Sequence, residues 1–186
     1  MDFKISKKEV NQYLVKPIII GLLLDLTITV LGSIFYKVDF IFVIKLFLGA
    51  LLGQIFVFYL PIITFYSNYK RINKNLTLTV IPETKEFIYY DGINKIHFSE
   101  EEITELRVFV SIPTYHNRTI FLVWYDFFYS KIITSKGEFV ITCLICTTLE
   151  DYISEDKIKK KGSLFAQGFP PKSVISLDGA DMPSVG

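Results

Sequence analysis

Hydrophobic side chains fill two long, nearly uninterrupted runs in the first third of the chain. The first run covers residues 17–36 and contains one ionisable side chain, Asp25. The second covers residues 40–66 and also contains one, Lys45. A helix needs about 20 apolar residues to cross the hydrocarbon core of a bilayer, so each run is long enough to span it. The sequence therefore predicts a two-helix transmembrane hairpin over residues 17–66.

Positively charged residues cluster on one side of this predicted hairpin. Four lysines precede the first run, and Lys70, Arg71 and Lys74 follow the second, whereas the tip offers only Lys37 beside Asp39. Because cytoplasmic loops carry an excess of lysine and arginine, we expect both termini to be cytoplasmic.

The N-terminal segment, residues 1–16, is basic and carries a helix-start signal. Ser6 and Glu9 have the spacing of a capping box, in which a hydroxyl and a carboxylate satisfy free backbone N–H groups. Either a basic helix lying at the lipid interface, a frayed tail or an extension of the first span fits this pattern.

Two polar residues are predicted to lie inside the hairpin. Asp25 falls near the middle of the first run, where a carboxyl group is costly unless it is protonated or paired. Gln54 is a candidate hydrogen-bond partner for it. Gly49 and Gly53 form a small-x-x-x-small pattern that predicts close helix packing. Asp25 is either a working residue for protons or ions, or a neutral carboxyl satisfied within the hairpin or a dimer.

Beyond residue 66 the pattern changes to alternating apolar and polar positions, which is typical of strands. An acidic turn follows the third strand at 100–102. A capping-box pattern then predicts a helix over 147–161, and residues 162–186 lack periodicity, which predicts disorder. The predicted strands are 76–81, 86–90, 93–98, 103–112, 119–134 with a bend near Asp126, and 138–145.

Six or seven antiparallel strands followed by one amphipathic helix form the layout of a pleckstrin-homology-like (PH-like) barrel over residues 67–161. The segments INKIHFSEEEITEL and FYSKIITSKGEFVITCLICTTLEDYI resemble the strand-and-acidic-turn and the last hairpin with capping helix of the bacterial PH-like membrane proteins, including the YcxB-like group. The resemblance covers roughly residues 18–161. It implies two N-terminal spans in a bacterial inner membrane and a cytoplasmic PH-like domain. The expected fold is therefore a membrane helical hairpin plus an α+β domain, in which an antiparallel β-barrel or sandwich is capped by a C-terminal helix.

This chain departs from lipid-binding PH domains at the first hairpin loop. Those domains carry several basic residues there, whereas residues 82–85 offer only Lys85, so phosphoinositide binding is not implied. Lys70, Arg71 and Lys74 would attract anionic headgroups without specificity. Specific binding of a protein partner is expected along a strand edge or on an aromatic patch that runs from Trp124 and Tyr125 to Tyr129.

The sequence gives little evidence of a catalytic site. Cys143 and Cys146 lie three apart on a predicted strand, which puts them on opposite faces and favours core packing. His97 and His116 have no neighbouring partner that would make a catalytic dyad or a metal site. The net charge of +1 argues against nucleic acid as a partner. We therefore expect no enzyme activity, no cofactor and no metal.

Two function classes remain. The first is a membrane-anchored binding or regulatory module whose PH-like domain docks a protein partner, or a second copy of the chain. The second is a small accessory subunit of a transport or channel complex, with Asp25 as the working residue.

Overall fold

Two long antiparallel helices and two β-sheets make up the computed structural model, which describes residues 1–36, 39–118, 123–163 and 169–175. The first long helix consists of α1 (Lys7–Val10), a π-helical turn (Asn11–Val15) and α2 (Lys16–Tyr36). The second consists of α3 (Phe40–Gln54), another π-helical turn (Ile55–Tyr59) and α4 (Leu60–Ile72).

The starts of both long helices are capped, the first as its sequence predicts. Ser6 and Glu9 form the complete capping box. The carboxylate of Asp39 accepts a hydrogen bond of 2.7 Å from the Phe42 amide at the start of the second helix. Because the first helix runs without a break from Lys7 into α2, the N-terminal segment extends this helix and does not form a separate interfacial one.

Most of the apolar surface of the two long helices is exposed. Both are long and apolar enough to cross a membrane. In the most apolar 18-residue stretch of each helix, 17% of the residues of the first helix and none of the second are buried. The core helix of a soluble protein would be largely buried. Here the opposite holds, and the large exposed apolar side chains include Ile19, Leu23, Leu26, Ile28, Ile34, Ile41, Leu48, Leu52, Phe56 and Leu60.

The first sheet contains strands from both sides of the helical hairpin. Its order is β1 (Asp2–Phe3), β2 (Thr77–Ile81), β3 (Glu86–Tyr90) and β4 (Lys95–Ser99), all antiparallel. The N-terminal ammonium of Met1 donates a 2.6 Å hydrogen bond to the Val80 carbonyl. The residues before the first long helix are therefore part of the β domain.

The second sheet has the order β8-β5-β6-β7-β9. It consists of β5 (Ile103–Ser111), β6 (Tyr129–Thr134), β7 (Gly137–Thr142), β8 (Ile158–Ser163) and β9 (Val174–Ile175). A short helix, α5 (Ile112–Tyr115), follows β5. Of the two predicted arrangements, a barrel or a sandwich, the described residues do not form a closed barrel, because the two sheets remain separate.

The two sheets pack face to face around a shared apolar core. Alternate side chains of β2 to β4 point inward and meet those of β5 to β7, as the predicted period of two requires. Phe98 stacks nearly parallel on Phe87 at 5.5 Å and on Phe139 at 5.1 Å between ring centroids, so a column of three rings joins both sheets. The predicted boundaries of β2 and β3 agree with the structure to within one residue.

The predicted C-terminal capping helix over 147–161 is wrong. Two 3₁₀ turns, Leu149–Tyr152 and Glu155–Lys157, stand in its place and lead into β8. Thr148 makes no side-chain capping bond, and Ile153 adopts an extended conformation. The chain then pairs in parallel with β5, Leu106 opposite Ile158, because this covers an otherwise open sheet edge.

Glu100 holds this C-terminal segment in place. Its carboxylate accepts bonds from the amide of Ser154 at 2.8 Å and from the Ser154 hydroxyl. The ammonium of Lys85 donates to the other carboxylate oxygen at 2.6 Å, and Lys157 donates to the Glu100 carbonyl at 2.6 Å. Glu100 is buried, unlike the exposed Glu101, so the acidic turn is not simply a solvated charge run.

Two other predictions need adjustment. The stretch predicted as one bent strand contains a 3₁₀ turn, Val123–Asp126, before β6, while 119–122 lie outside the described residues. The predicted disorder over 162–186 does not hold in β8 and β9, whereas 164–168 and 176–186 lie outside the described residues.

The substitution Glu100→Gln is expected to lower the free energy of unfolding at neutral pH by about 1–2 kcal/mol, because charge-assisted hydrogen bonds become neutral ones. The Lys85 hydrogen bond, with those from Ser154, lowers the pKa of Glu100 from 4.5 to about 2. A lowered folded-state pKa gives stability that is complete above pH 4.5 and is lost as the pH falls towards 2. Thermal unfolding of the detergent-purified full chain across this window measures it.

Glu101→Gln is the matched control, since Glu101 is the exposed neighbour of Glu100. It should unfold like the wild type at every pH. An unchanged acid profile for Glu100→Gln would contradict the assigned role of this carboxylate.

Candidate functional site

The ends of the long helices nearest the β domain pack onto it through a second apolar cluster, which we call the junction cluster. Phe127 lies at its centre, with ring centroids 5.4 Å from Tyr13, 5.9 Å from Phe65 and 5.2 Å from Tyr69. The buried members are Tyr13, Ile62, Phe65, Tyr66, Tyr69, Trp124, Phe127, Cys143 and Leu144. Rings from both helices, from within the 3₁₀ turn (Trp124) and from the residue after it (Phe127) thus join the hairpin to the β domain.

The aromatic patch predicted at Trp124 to Tyr129 belongs to this junction and is not an exposed surface. Trp124 is 7% exposed and Phe127 is 1% exposed. The Trp124 ring packs on Phe58 of the second helix at 5.9 Å, and Tyr125 is half-buried. The sequence pattern could not distinguish burial against the sheet from burial against the chain's own helices.

The two cysteines fill separate parts of the interior. The predicted strand does not reach them, because β7 ends at Thr142 and both cysteines lie in the turn region that follows. Cys143 lies in the junction cluster and Cys146 in the core between the sheets. Burial raises the pKa of the Cys143 thiol to about 12 and also raises that of Cys146. Both are free thiols that remain protonated at neutral pH, which agrees with the predicted packing role.

Asp25 is buried between the two helices, with 4% of its surface exposed. Its Oδ2 atom has no hydrogen-bond partner in the described part of the chain. Gln54, the predicted partner, instead accepts a 2.7 Å hydrogen bond from the Tyr59 hydroxyl. Tyr59 lies against Gly21, one helical turn from Asp25, where an added Cβ would come within 2.9 Å of the hydroxyl oxygen.

The close helix approach therefore occurs at Gly21 and not at the predicted glycine pair. A Cβ built on Gly49 or Gly53 meets no atom within 4 Å. Both of these glycines are exposed, because the second helix turns the opposite side towards its neighbour.

Lys70, Arg71 and Lys74 lie exposed around the end of the second helix. They do not meet Asp25, Gln54 or Trp124. Lys85, in the first hairpin loop, has a positive φ of 54° and is paired with Glu100 at 2.6 Å. The single cation of this loop is therefore already neutralised by a carboxylate of the same chain.

The turn between β3 and β4 presents an exposed apolar side chain on an ordered backbone. Ile93 is 87% exposed and Tyr90 is 42% exposed. The Asp91 carboxylate accepts bonds from the amides of Ile93 at 2.9 Å and Asn94 at 2.7 Å. Such a backbone-bonded turn holds its side chains in place. Sequence periodicity alone gives no signal for this exposure.

Gly92 allows this turn to lie close to the segment that follows α4. It has a φ of +100°, and an added Cβ would lie 2.8 Å from the Cβ of Asn75, so only glycine fits. The turn thereby packs beside the segment that follows α4.

No candidate metal site is found among the described residues. Groups of three or more His, Cys, Asp or Glu side chains that could hold a metal ion are absent there. His97 lies exposed on β4 and His116 follows α5.

Comparison with known proteins adds one positive finding. Searches of curated proteins and of solved structures give no match. A family model described as "PH domain" matches residues 2–150, which is most of the 186-residue chain. The match begins at β1, before the long helices, and includes both sheets up to the first 3₁₀ turn after β7. The chain belongs to the PH domain family.

Proposed function

We propose that this protein is a membrane-anchored, non-enzymatic binding module that presents its PH domain to a protein partner at the inner leaflet. The single observation that carries the proposal is the change of burial along both long helices. Their distal parts expose apolar side chains, while Tyr13, Phe65 and Tyr69 near their other ends are buried against the β domain. PH domains are generally binding modules, which favours binding over catalysis.

The membrane part of the proposal rests on exposed apolar surface. Soluble proteins rarely expose apolar patches of more than a few hundred Å². The stretches with exposed apolar side chains, from Val15 to Ile34 and from Ile41 to Leu60, are each about the length that spans a hydrocarbon core. An exposed apolar surface of this size is favourable in contact with lipid and unfavourable in contact with water.

Strand pairing supports an arrangement with both ends on one side. β1 precedes the first long helix and β2 follows the second, and the two are paired with Asp2 opposite Thr79. The segments that flank the hairpin must therefore share one side of any membrane that it crosses. The excess of Lys and Arg at these flanks makes that side the cytoplasm.

The flanking cations differ in their distance from the bilayer. Ten residues of helix place Lys70 about 15 Å beyond Leu60, which exceeds the physiological Debye length of about 8 Å. Lys70, Arg71 and Lys74 therefore contribute weakly to headgroup attraction, and Lys16 contributes more.

Cysteine labelling tests the membrane arrangement. Asp39→Cys, at the start of the second helix, should react with a membrane-impermeant maleimide added to intact cells. Glu101→Cys, which is exposed on the β domain, should react only after lysis. The native cysteines are buried and should remain unlabelled. Labelling of Glu101→Cys in intact cells would overturn the orientation.

The partner surface that we propose is the turn between β3 and β4. It packs against Asn75, just beyond α4, and so lies far from the level of Leu60. An 87% exposed isoleucine at that distance from lipid is suited to a protein pocket, because an isolated apolar anchor gains most when another protein desolvates it.

Photo-crosslinking tests this surface. With benzoylphenylalanine in place of Ile93, we expect discrete protein adducts in cells. The matched control is the same residue in place of Val174, which is 61% exposed on β9 and should give none. Lipid adducts alone at position 93, or equal protein adducts at both positions, would contradict the proposed surface.

A second candidate function is an accessory subunit of a transport or channel complex. The observation that favours it is the buried Asp25, whose Oδ2 lacks a hydrogen-bond partner in the described part of the chain. Intramembrane carboxyl groups commonly mark ion or proton pathways.

Substitution of Asp25 separates the two candidates. Under the binding-module proposal, Asp25→Asn keeps both membrane insertion and the crosslink at position 93, because the amide has nearly the same shape. Asp25→Lys reduces insertion, since a mid-membrane lysine costs about 2.5–3.5 kcal/mol. Loss of the cellular phenotype in Asp25→Asn, at unchanged protein level and with the crosslink retained, would favour transport.

A further inference from the structure

A cleft of about 700 Å³ opens between the two long helices where they meet the β domain. Its mouth is lined by the charged side chains of Lys8, Lys16 and Asp126. Its deep end is lined by Gln54 and Tyr59, which are joined by the 2.7 Å hydrogen bond from the Tyr59 hydroxyl. Groups that can bond to water therefore occur at both ends of the cleft, and its volume is far larger than the roughly 30 Å³ share of one liquid water.

Asp25 lies directly beyond the deep end of this cleft. Gly21 lines the cleft, and Asp25 follows it by four residues, which is one turn along the same side of the helix. The Tyr59 ring packs on Gly21 and lies within electrostatic range of the Asp25 carboxyl. Because the buried Oδ2 atom of Asp25 has no hydrogen-bond partner in the described part of the chain, a water molecule at the deep end would satisfy it.

The cleft extends into the proposed membrane from one side. Exposed apolar side chains begin at Val15 in the first long helix and end at Leu60 in the second. Gln54 is six residues inside that boundary, about 9 Å along the helix. Asp25 is ten residues inside it, about 15 Å, which is the middle of a hydrocarbon core of about 30 Å. Water in the cleft would therefore come within about one helical turn of a carboxyl at the middle of the membrane.

The cleft ends at this level. Leu24 in the first helix and Gln54 in the second are its lining residues nearest the hairpin tip. Within the described part of the chain, the lining therefore connects Asp25 with the β-domain side and does not continue towards the other side.

Two uncommon backbone features form part of the cleft walls. The π-helical turns Asn11–Val15 and Ile55–Tyr59 lie one in each long helix, and both contribute lining residues, among them Gln12 and Tyr59. π-helical turns are rare and occur frequently at functional sites. Their position is an observation independent of the volume of the cleft and of the burial of Asp25.

We propose that this cleft is a one-sided water pathway through which Asp25 exchanges its proton with the cytoplasm. The protonated carboxyl transfers its proton to a water molecule at the deep end, which leaves a carboxylate and a hydronium ion, and the reverse step restores the acid. Tyr59 is the titratable group that faces Asp25 from the second helix, and Lys8, Lys16 and Asp126 are the charged groups at the mouth.

This inference rests on the proposed membrane placement. It gives Asp25 a defined proton source in either candidate function. It does not make the protein a complete transport path, because the cleft reaches Asp25 from one side only.

Cysteine accessibility tests whether the cleft holds water. The full-length Gln54→Cys variant is treated with a charged methanethiosulfonate reagent in inverted membrane vesicles, whose outer surface is the cytoplasmic one. Phe56→Cys is the matched control, since Phe56 is 67% exposed and nearer the proposed membrane surface, but does not line the cleft. Because the thiolate reacts and forms in water, we expect Gln54→Cys to react at least about tenfold faster than Phe56→Cys.

A second pair of variants repeats the comparison on the first helix, in case Gln54→Cys does not fold. Ile20 lines the cleft, whereas its neighbour Ile19 does not, and the two are similarly exposed, at 44% and 50%. Ile20→Cys should therefore react faster than Ile19→Cys. The native cysteines are buried and should remain unlabelled.

Carbodiimide modification tests the proton exchange itself. Dicyclohexylcarbodiimide enters lipid and modifies carboxyl groups in their protonated form. In inverted vesicles with a separately buffered lumen, modification of Asp25, located by mass spectrometry, should slow as the pH of the bath rises. It should stay unchanged when only the pH of the lumen rises, and Asp25→Asn is the blank.

The outcomes are separable from those of the proposed function. Release of the protein from membranes by alkaline carbonate would overturn the membrane anchoring. An integral protein in which positions 54 and 56 react equally slowly, and positions 19 and 20 likewise, has lipid in the cleft, which would overturn the water pathway alone. Modification of Asp25 that follows the pH of the lumen, or neither pH, would also overturn it.

Discussion

Residues on either side of the two long helices are joined to each other, and this closure determines most of the structure. Three N-terminal residues reach across to β2, and the rings around Phe127 hold the helix ends against the second sheet. Strand pairing and ring packing stabilise each other, since neither a two-residue strand nor a pair of helix ends would be stable alone. The ends of the hairpin and the two sheets of the PH domain therefore stabilise each other.

This closure also explains which parts of the fold were predictable from the sequence. The strands β2 and β3 follow from local alternation and turn residues, and the long helices follow from uninterrupted apolar runs. β1 could not be predicted because two residues, Asp2 and Phe3, carry no period and become a strand only when β2 is adjacent. The C-terminal segment was misassigned for a related reason. Its helical signals are local, whereas the bonds between Glu100 and Ser154 join residues 54 apart in sequence.

The candidate site residues also differ in how far the sequence alone could place them. Asp25 stood out because a carboxyl group in an apolar run is costly, and the structure indeed shelters it between the helices. Trp124 stood out as an aromatic residue among others, but aromatic content does not tell whether the ring faces solvent or another element. The exposed Ile93 turn had no sequence signal, since the exposure of a side chain depends on the relative placement of elements distant in the chain.

The lysine side chains of this molecule differ in whether a carboxylate of the same chain lies beside them. Lys85 is held by Glu100, Lys131 by Glu138 and Lys136 by Glu102, so much of the sheet surface is internally neutralised. Lys16, one helical turn before the exposed side chain of Ile20, has no such partner in the described part of the chain. If the exposed apolar surface of the helices lies in lipid, as we propose, the anionic phosphate layer of the bilayer would lie close to this ammonium group and attract it. The charge pattern and the burial pattern, which arise from different residues, therefore agree on where a membrane surface would meet this protein.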